Sequence, residues 1–259
     1  MCIILTCDSH TRPTQGLIDD CFFGNPDGAG IAWVEDGLVR ISKGYMDELT
    51  LWDAIERVPM GSPMVIHMRI ATSGGISKGT CHPFPITNDL EALHATDLEC
   101  AAALAHNGII SGAWTDDELG VSDTVSFVSD VMAKLYKGKV TKRLKKRILN
   151  EAAGNRFAII TKDGRVTRIG CGWETVTNGI HASNSSWKPI EWRFDFGRRW
   201  GRDYELADFG DLLLSTVDGI CCEKGCDQYE ECLRFGPSCA SVYDTAYEAY
   251  EYYTEMSEL

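Results

Sequence analysis

Residues 2 to 7, Cys-Ile-Ile-Leu-Thr-Cys, form an apolar run that starts one residue into the chain. A short run of branched side chains like this reads as a buried strand, which places residue 2 on a rigid element at the chain's very start. Further strands follow. The turn signal Asn25-Pro26-Asp27-Gly28 precedes two apolar stretches, Gly30 to Val34 and Leu38 to Ile41, joined across Asp36-Gly37 as a hairpin. Arg156 to Thr161 and Arg165 to Ile169, joined across Asp163-Gly164, make a second hairpin, so antiparallel pairing is expected. Strand-like runs over Met64 to Ala71 and Cys100 to Ala105 end in polar loops, Thr72-Ser73-Gly74-Gly75 and His106-Asn107-Gly108. Helical spacing is read over Asp47 to Val58, Ser122 to Tyr136 and Thr141 to Ala153, where Gly154 stops the last. Strands, then helices, then strands give an α+β architecture. No repeat marks a solenoid or propeller.

The 259 residues suffice for one large domain with a small appendage, and a soft boundary falls near residue 190. That divides the chain into residues 1–190 and a C-terminal extension, 191–259, that is aromatic, then cysteine-rich, then acidic and tyrosine-rich. Hydrophobic residues at 44% and charged residues at 24% are ordinary for a folded globular chain. The net charge of −13 argues against broad nucleic-acid affinity, since phosphate binding needs a basic surface. Between Lys137 and Arg147, however, seven of eleven residues are basic. They suit docking of an acidic protein or RNA, although a solvated helix face is the plainer reading. No apolar run approaches a membrane span and the start lacks a basic signal segment, so a cytoplasmic protein with reduced thiols is expected.

Cys2 in an apolar strand is, taken alone, a small buried hydrophobe. Its position changes this. Trimming of Met1 ahead of so small a residue would leave one residue carrying both a thiol and a free α-amine. The amine titrates at about 7.7 to 8.0 and can take the thiol proton, so nucleophile and base come together. Attack on an amide builds an oxyanion that needs donors already in place. The side-chain NH2 of Asn107 and the backbone N–H of Gly108 could provide them, although Asn-Gly is also a common turn dipeptide. An amino-acid substrate needs a cation for its carboxylate and an anion for its ammonium. Arg69 suits the first through its planar fork, and Asp123 suits the second. Ser122-Asp123-Thr124 is also what an ordinary helix N-terminus looks like. His67 and His106 tempt one toward a Cys-His dyad, but core histidines are the preferred reading.

In combination, Cys2, His67-Met68-Arg69-Ile70-Ala71-Thr72, His106-Asn107-Gly108 and Ser122-Asp123-Thr124 resemble the class II glutamine amidotransferases. Those enzymes carry an N-terminal cysteine and the segments H-T-R-x-A-T, H-N-G and S-D-T in this order. Pro26-Asp27-Gly28-Ala29-Gly30 and His82-Pro83-Phe84 look like two further family segments, and the likeness covers roughly residues 2 to 190. It implies a four-layer αββα sandwich of the N-terminal nucleophile hydrolase type and a glutaminase that works through a Cys2 thioester. Asn107 and Gly108 would form the oxyanion hole. Arg69, Thr72 and Asp123 would bind L-glutamine, and no cofactor is implied. The chain departs from the pattern where Gly24 and Asn25 precede Pro26 and where Ser73 follows Thr72, which bears on contacts that close the pocket.

Family members feed ammonia to a synthetase, yet only about 70 residues follow the matched part, and no G-x-x-x-x-G-K-[ST] phosphate loop occurs. A separate ATP-dependent synthetase is therefore the expected partner, with Lys137 to Arg147 and Trp187 to Trp200 as contact surfaces; a free-standing glutaminase is the other option. In the extension, Cys221, Cys226, Cys232 and Cys239 could close a tetrahedral zinc site, but they lack a tight C-x2-C pair, so no metal is expected. Two readings compete with the glutaminase: a hydrolase of another amide with the same nucleophile, and a non-catalytic interaction module.

Overall fold

The apolar start of the chain is strand β1 (Ile3–Cys7), and all five of its residues are buried. This is seen in a computed structural model that describes residues 2–71 and 74–188. A helix α1 (Gln15–Phe23), capped by Thr14, follows, then β2 (Ala29–Glu35) and β3 (Leu38–Tyr45) around the Asp36-Gly37 turn. Asp47 accepts the Thr50 N–H to start α2 (Glu48–Arg57), which leads into β4 (Met64–Met68). Next come a 3-10 turn (Lys78–Thr80), β5 (Phe84–Pro85), α3 (Leu90–His94), β6 (Asp97–Cys100) and β7 (Ala102–Asn107). The helical stretch opened by Ser122 comprises α4 (Asp123–Phe127), a π-helical turn (Val128–Met132) and α5 (Ala133–Leu135). The chain continues through α6 (Lys142–Glu151), the hairpin β8 (Arg156–Thr161) and β9 (Val166–Ile169), and the pair β10 (Glu174–Thr177) and β11 (Ile180–Ala182).

Two sheets form among the described residues, and every strand pair in them is antiparallel. The first has the order β10-β11-β1-β4-β2-β3-β6 and the second β5-β7-β8-β9. The fold is α+β. β1 lies inside the larger sheet, with Ile3 opposite Met68 and Leu5 opposite Ala182.

The period of two along β1 sorts its side chains to two cores. Ile3, Leu5 and Cys7 join Ile18, Leu51 and Ile55 of α1 and α2, while Ile4 joins Val65, Ala103, Ala158 and Ile160, which come from both sheets. A third cluster sets Leu104, Phe157 and Ile159 against Val125, Met132, Leu144 and Ile148 of the later helices. Each fully buried aliphatic side chain contributes about 1.5 to 3 kcal/mol relative to exposure. β1 is therefore held from both faces, which fixes where its first residues stand. Among the described residues no helix is long and apolar enough to cross a membrane.

Candidate active site

The register of β1 against β4 explains the place of Cys2. Ile3 pairs with Met68, so the residue before Ile3 meets the chain just past β4. The Cys2 thiol donates to Ile70 O at 3.3 Å, and Ile70 N–H donates to the sulfur at 3.4 Å. Burial pushes the thiol pKa up, opposed by the Ile70 N–H and the nearby Arg69 charge. A thiol in this state is a poor nucleophile until a base removes its proton. Among the described residues no histidine bonds to it.

Arg69 leaves the end of β4 and is buried. Its Nη1 donates to Gly75 O and to Thr80 Oγ1, each at 2.7 Å, so the guanidinium is fixed from the following loop. Beside Thr80, Lys43 Nζ donates to Gly79 O and Leu93 O and lies 4.1 Å from the Phe84 ring centroid. Burial pushes the Lys43 pKa down to about 7. Asp27 ties down the same strand end: its N–H donates to Arg69 O, and its carboxylate accepts from Ala71 N–H at 2.8 Å. Thr72 lies outside the described residues.

Asp123 is the first residue of α4, after the cap Ser122, and it is buried. Its Oδ2 accepts the Ile110 N–H at 2.7 Å, and its Oδ1 lies 3.1 Å from Thr124 Oγ1. Thr124 has one hydroxyl proton and two claimants, since His106 Nδ1 lies 2.7 Å away. The other end of that imidazole decides between them. Asn155 turns Nδ2 toward the carbonyls of Ile109, Ala152 and Ala153, which leaves Oδ1 to accept a proton from His106 Nε2 at 2.8 Å. Burial lowers the His106 pKa and keeps the ring neutral, so Nδ1 is the acceptor and Thr124 donates to it. Asp123 Oδ1 is thereby left without the Thr124 proton.

Asn107 ends β7 fully buried, and Gly108 follows with φ +142. A Cβ at Gly108 would run into Asn155 Oδ1, so glycine is required there for space as well as conformation. His67 and His82 pack as a tilted ring pair with centroids 4.2 Å apart, and His67 Nε2 faces His106 O at 3.0 Å. Burial lowers both pKa values, that of His67 to about 3. The core reading of His67 and His106 thus agrees with where they lie, though His106 also reaches the site.

Cys2, Arg69, Gly108 and Asp123 line one cleft, with His82, His106 and Thr124 in its wall. They arrive from the residue before β1, the residues just past β4 and β7, and the start of α4. Asn107 is next to the lining residue Gly108 but is not itself in the lining, and its side-chain amide lies 2.9 Å from Ser183 Oγ. The cleft holds about 20 Å³, room for about one water. A cavity of about 280 Å³ bounded by Gly74, Ser77, His94 and Asp117 shares no lining residue with it and has no cysteine in its lining. The Cys2 cleft carries the reactive groups.

Sequence reasoning passed over Ser183, Asn184, Thr80 and Asn155. Each acts on another side chain or on backbone, and a single hydroxyl or amide in a loop leaves no pattern. The candidate zinc ligands Cys221, Cys226, Cys232 and Cys239 lie outside the described residues, as does most of Trp187 to Trp200. Among the described residues the six cysteines are free thiols, and no group of three or more metal-ligating side chains forms. The basic residues from Lys137 to Lys146 are exposed or half-exposed.

No protein-family model matches the chain, and no curated protein does. Among solved structures a match is found with glutamine phosphoribosylpyrophosphate amidotransferase from B. subtilis, complexed with ADP and GMP. The identity is 15% and the TM-score 0.40, over 70% of this chain and 41% of that one.

Proposed function

We propose that the chain is a glutaminase that hydrolyses the side-chain amide of L-glutamine through a Cys2 thioester. The observation that carries this reading is the convergence of Cys2, Arg69, Gly108 and Asp123 on one cleft from four separate elements. A nucleophile, a backbone donor, a cation and an anion within one cleft match what amide cleavage on an α-amino acid requires.

Removal of Met1 frees the α-amine of Cys2, which takes the thiol proton that burial otherwise retains. The thiolate adds to the amide carbon of glutamine. Gly108 N–H and the Asn107 side chain donate to the resulting oxyanion. Collapse breaks the C–N bond, the α-ammonium returns its proton to the leaving nitrogen, and ammonia departs. Water then adds to the thioester, glutamate is released and the thiol is restored. Arg69, held by Gly75 and Thr80, takes the substrate carboxylate, and Asp123 Oδ1 takes the ammonium; Thr72 completes the pocket.

The fold reading that accompanies this mechanism is a four-layer αββα sandwich over residues 1–190, supported by three cores that alternate helix–sheet, sheet–sheet and sheet–helix. Residues 191–259 form an extension to it. Ammonia passes to a separate ATP-dependent synthetase in the cytoplasm. The test is Cys2→Ala: glutamate release falls to background while the thermal melt is retained, and a variant with wild-type activity would remove Cys2 from the reaction.

A further inference from the structure

The short segment after β11 holds both ends of the candidate machinery. Ser183 is fully buried, and its backbone N–H donates to Ile4 O at 2.9 Å. Its Oγ accepts the Ile4 N–H at 2.9 Å and lies 2.9 Å from the side-chain amide of Asn107. Asn184 Nδ2 donates to Cys2 O at 2.8 Å. One dipeptide thus fixes the strand that presents Cys2, the Cys2 carbonyl, and the amide of Asn107.

Which end of that amide faces Ser183 follows from the protons available. With Asn107 Nδ2 toward Ser183, Asn107 Oδ1 is fully buried and has no partner. The Ser183 hydroxyl proton then also has no acceptor among the described residues. Amide oxygen and nitrogen are interchangeable in position, and the hydrogen-bond network decides between them. In the reversed orientation Ser183 O–H donates to Asn107 Oδ1 while its oxygen still accepts from Ile4 N–H. The hydroxyl is then satisfied in both roles. What remains is an Asn107 NH2 whose donors have no partner among the described residues, held in place before any substrate arrives.

We propose that Ser183 is a positioning residue: its hydroxyl sets the orientation of Asn107 so that Nδ2, not Oδ1, is presented to the substrate. This rests on the glutaminase reading, in which Asn107 donates to the oxyanion. Removing one donor of this kind lowers kcat by about 100-fold or more. Losing the hydroxyl that orients the donor has the same character, because an oxygen turned toward a developing negative charge repels it.

The experiment compares Ser183→Thr with Ser183→Val, which share a shape and differ by the hydroxyl. Glutamine turnover, melting temperature and the rate of Cys2 alkylation by iodoacetamide are measured on the Met1-free protein. Thr retains turnover close to wild type. Val loses about 100-fold in kcat with KM within about threefold, while the alkylation rate holds. Equal turnover in the two variants, or a loss confined to KM, overturns the proposal. If the valine variant does not fold, wild-type protein decides. The isotope-labelled side-chain amide of Asn107 shifts when Cys2 is captured by the aldehyde analogue of glutamine, and an unmoved signal overturns the proposal. Wild-type protein that neither turns over glutamine nor is captured at Cys2 instead overturns the glutaminase reading itself.

Discussion

Arg69 shows how far a single side chain is specified by its surroundings. The guanidinium is buried, and Nη1 is committed to Gly75 O and Thr80 Oγ1, so its plane is set by protein groups ahead of the carboxylate it is proposed to bind. A lysine carries the charge but not the fork. Loss of a charge-assisted bond contributes about 1.5 to 3 kcal/mol, so Arg69→Lys is expected to raise KM for glutamine by about 10- to 100-fold. Steady-state kinetics check this, and an unchanged KM would mean that the carboxylate is held elsewhere. Cys2, Arg69, Gly108 and Asp123, which line one cleft, were singled out in the sequence because the proposed zwitterionic amide substrate would demand those residue types. Ser183 and Asn155 were not, because their partners are protein groups brought close only by the fold: Ser183 acts on Asn107 from 76 positions away.

At the scale of elements, the hairpins β2–β3 and β8–β9 were readable from Asp-Gly turns between apolar runs, and α2 from its spacing and the Asp47 cap. The continuous helix expected from Ser122 to Tyr136 instead carries a π-helical turn over Val128–Met132. Val125, Val128 and Met132 still face the core, whereas Leu135, the next apolar residue at that spacing, lies beyond the π-helical turn and is exposed. α1 escaped notice because its apolar residues spread weakly around the helix, and β10 and β11 because they are short and partly polar. The loop between α6 and β8 matters to the site through Asn155, which joins three backbone carbonyls to His106 and stands where a Gly108 Cβ would be. Asn155→Ala leaves the buried His106 Nε2 unpaired. A loss of about 1 to 3 kcal/mol in unfolding free energy is expected from urea titration, with activity reduced as well. A neutral change in both would show that His106 needs no anchor.

For the whole molecule, buried neutral histidines predict the acid limb of stability. The folded pKa of His67 is about 3 against an ordinary 6.5, and His82 and His106 shift the same way. Between those values the unfolded chain binds more protons than the folded one. The histidine contribution to stability is thus complete above about pH 6.5 and declines as pH falls toward 3, with a slope from His67 of roughly 1.4 kcal/mol per unit. Lys43 acts at the other end: with a folded pKa of about 7 against 10.5, it adds stability as pH rises through that window. Urea midpoints taken from pH 4 to 9 check both trends, and a midpoint independent of acid pH would show that these histidines are not held neutral. The reading of the chain as a glutaminase rests above all on Cys2 as its nucleophile. The most direct test is incubation with a glutamine-mimicking diazoketone, followed by intact-mass measurement and peptide mapping. One adduct on Cys2 of a chain lacking Met1 is the expected result; an unlabelled chain that retains Met1 would contradict it.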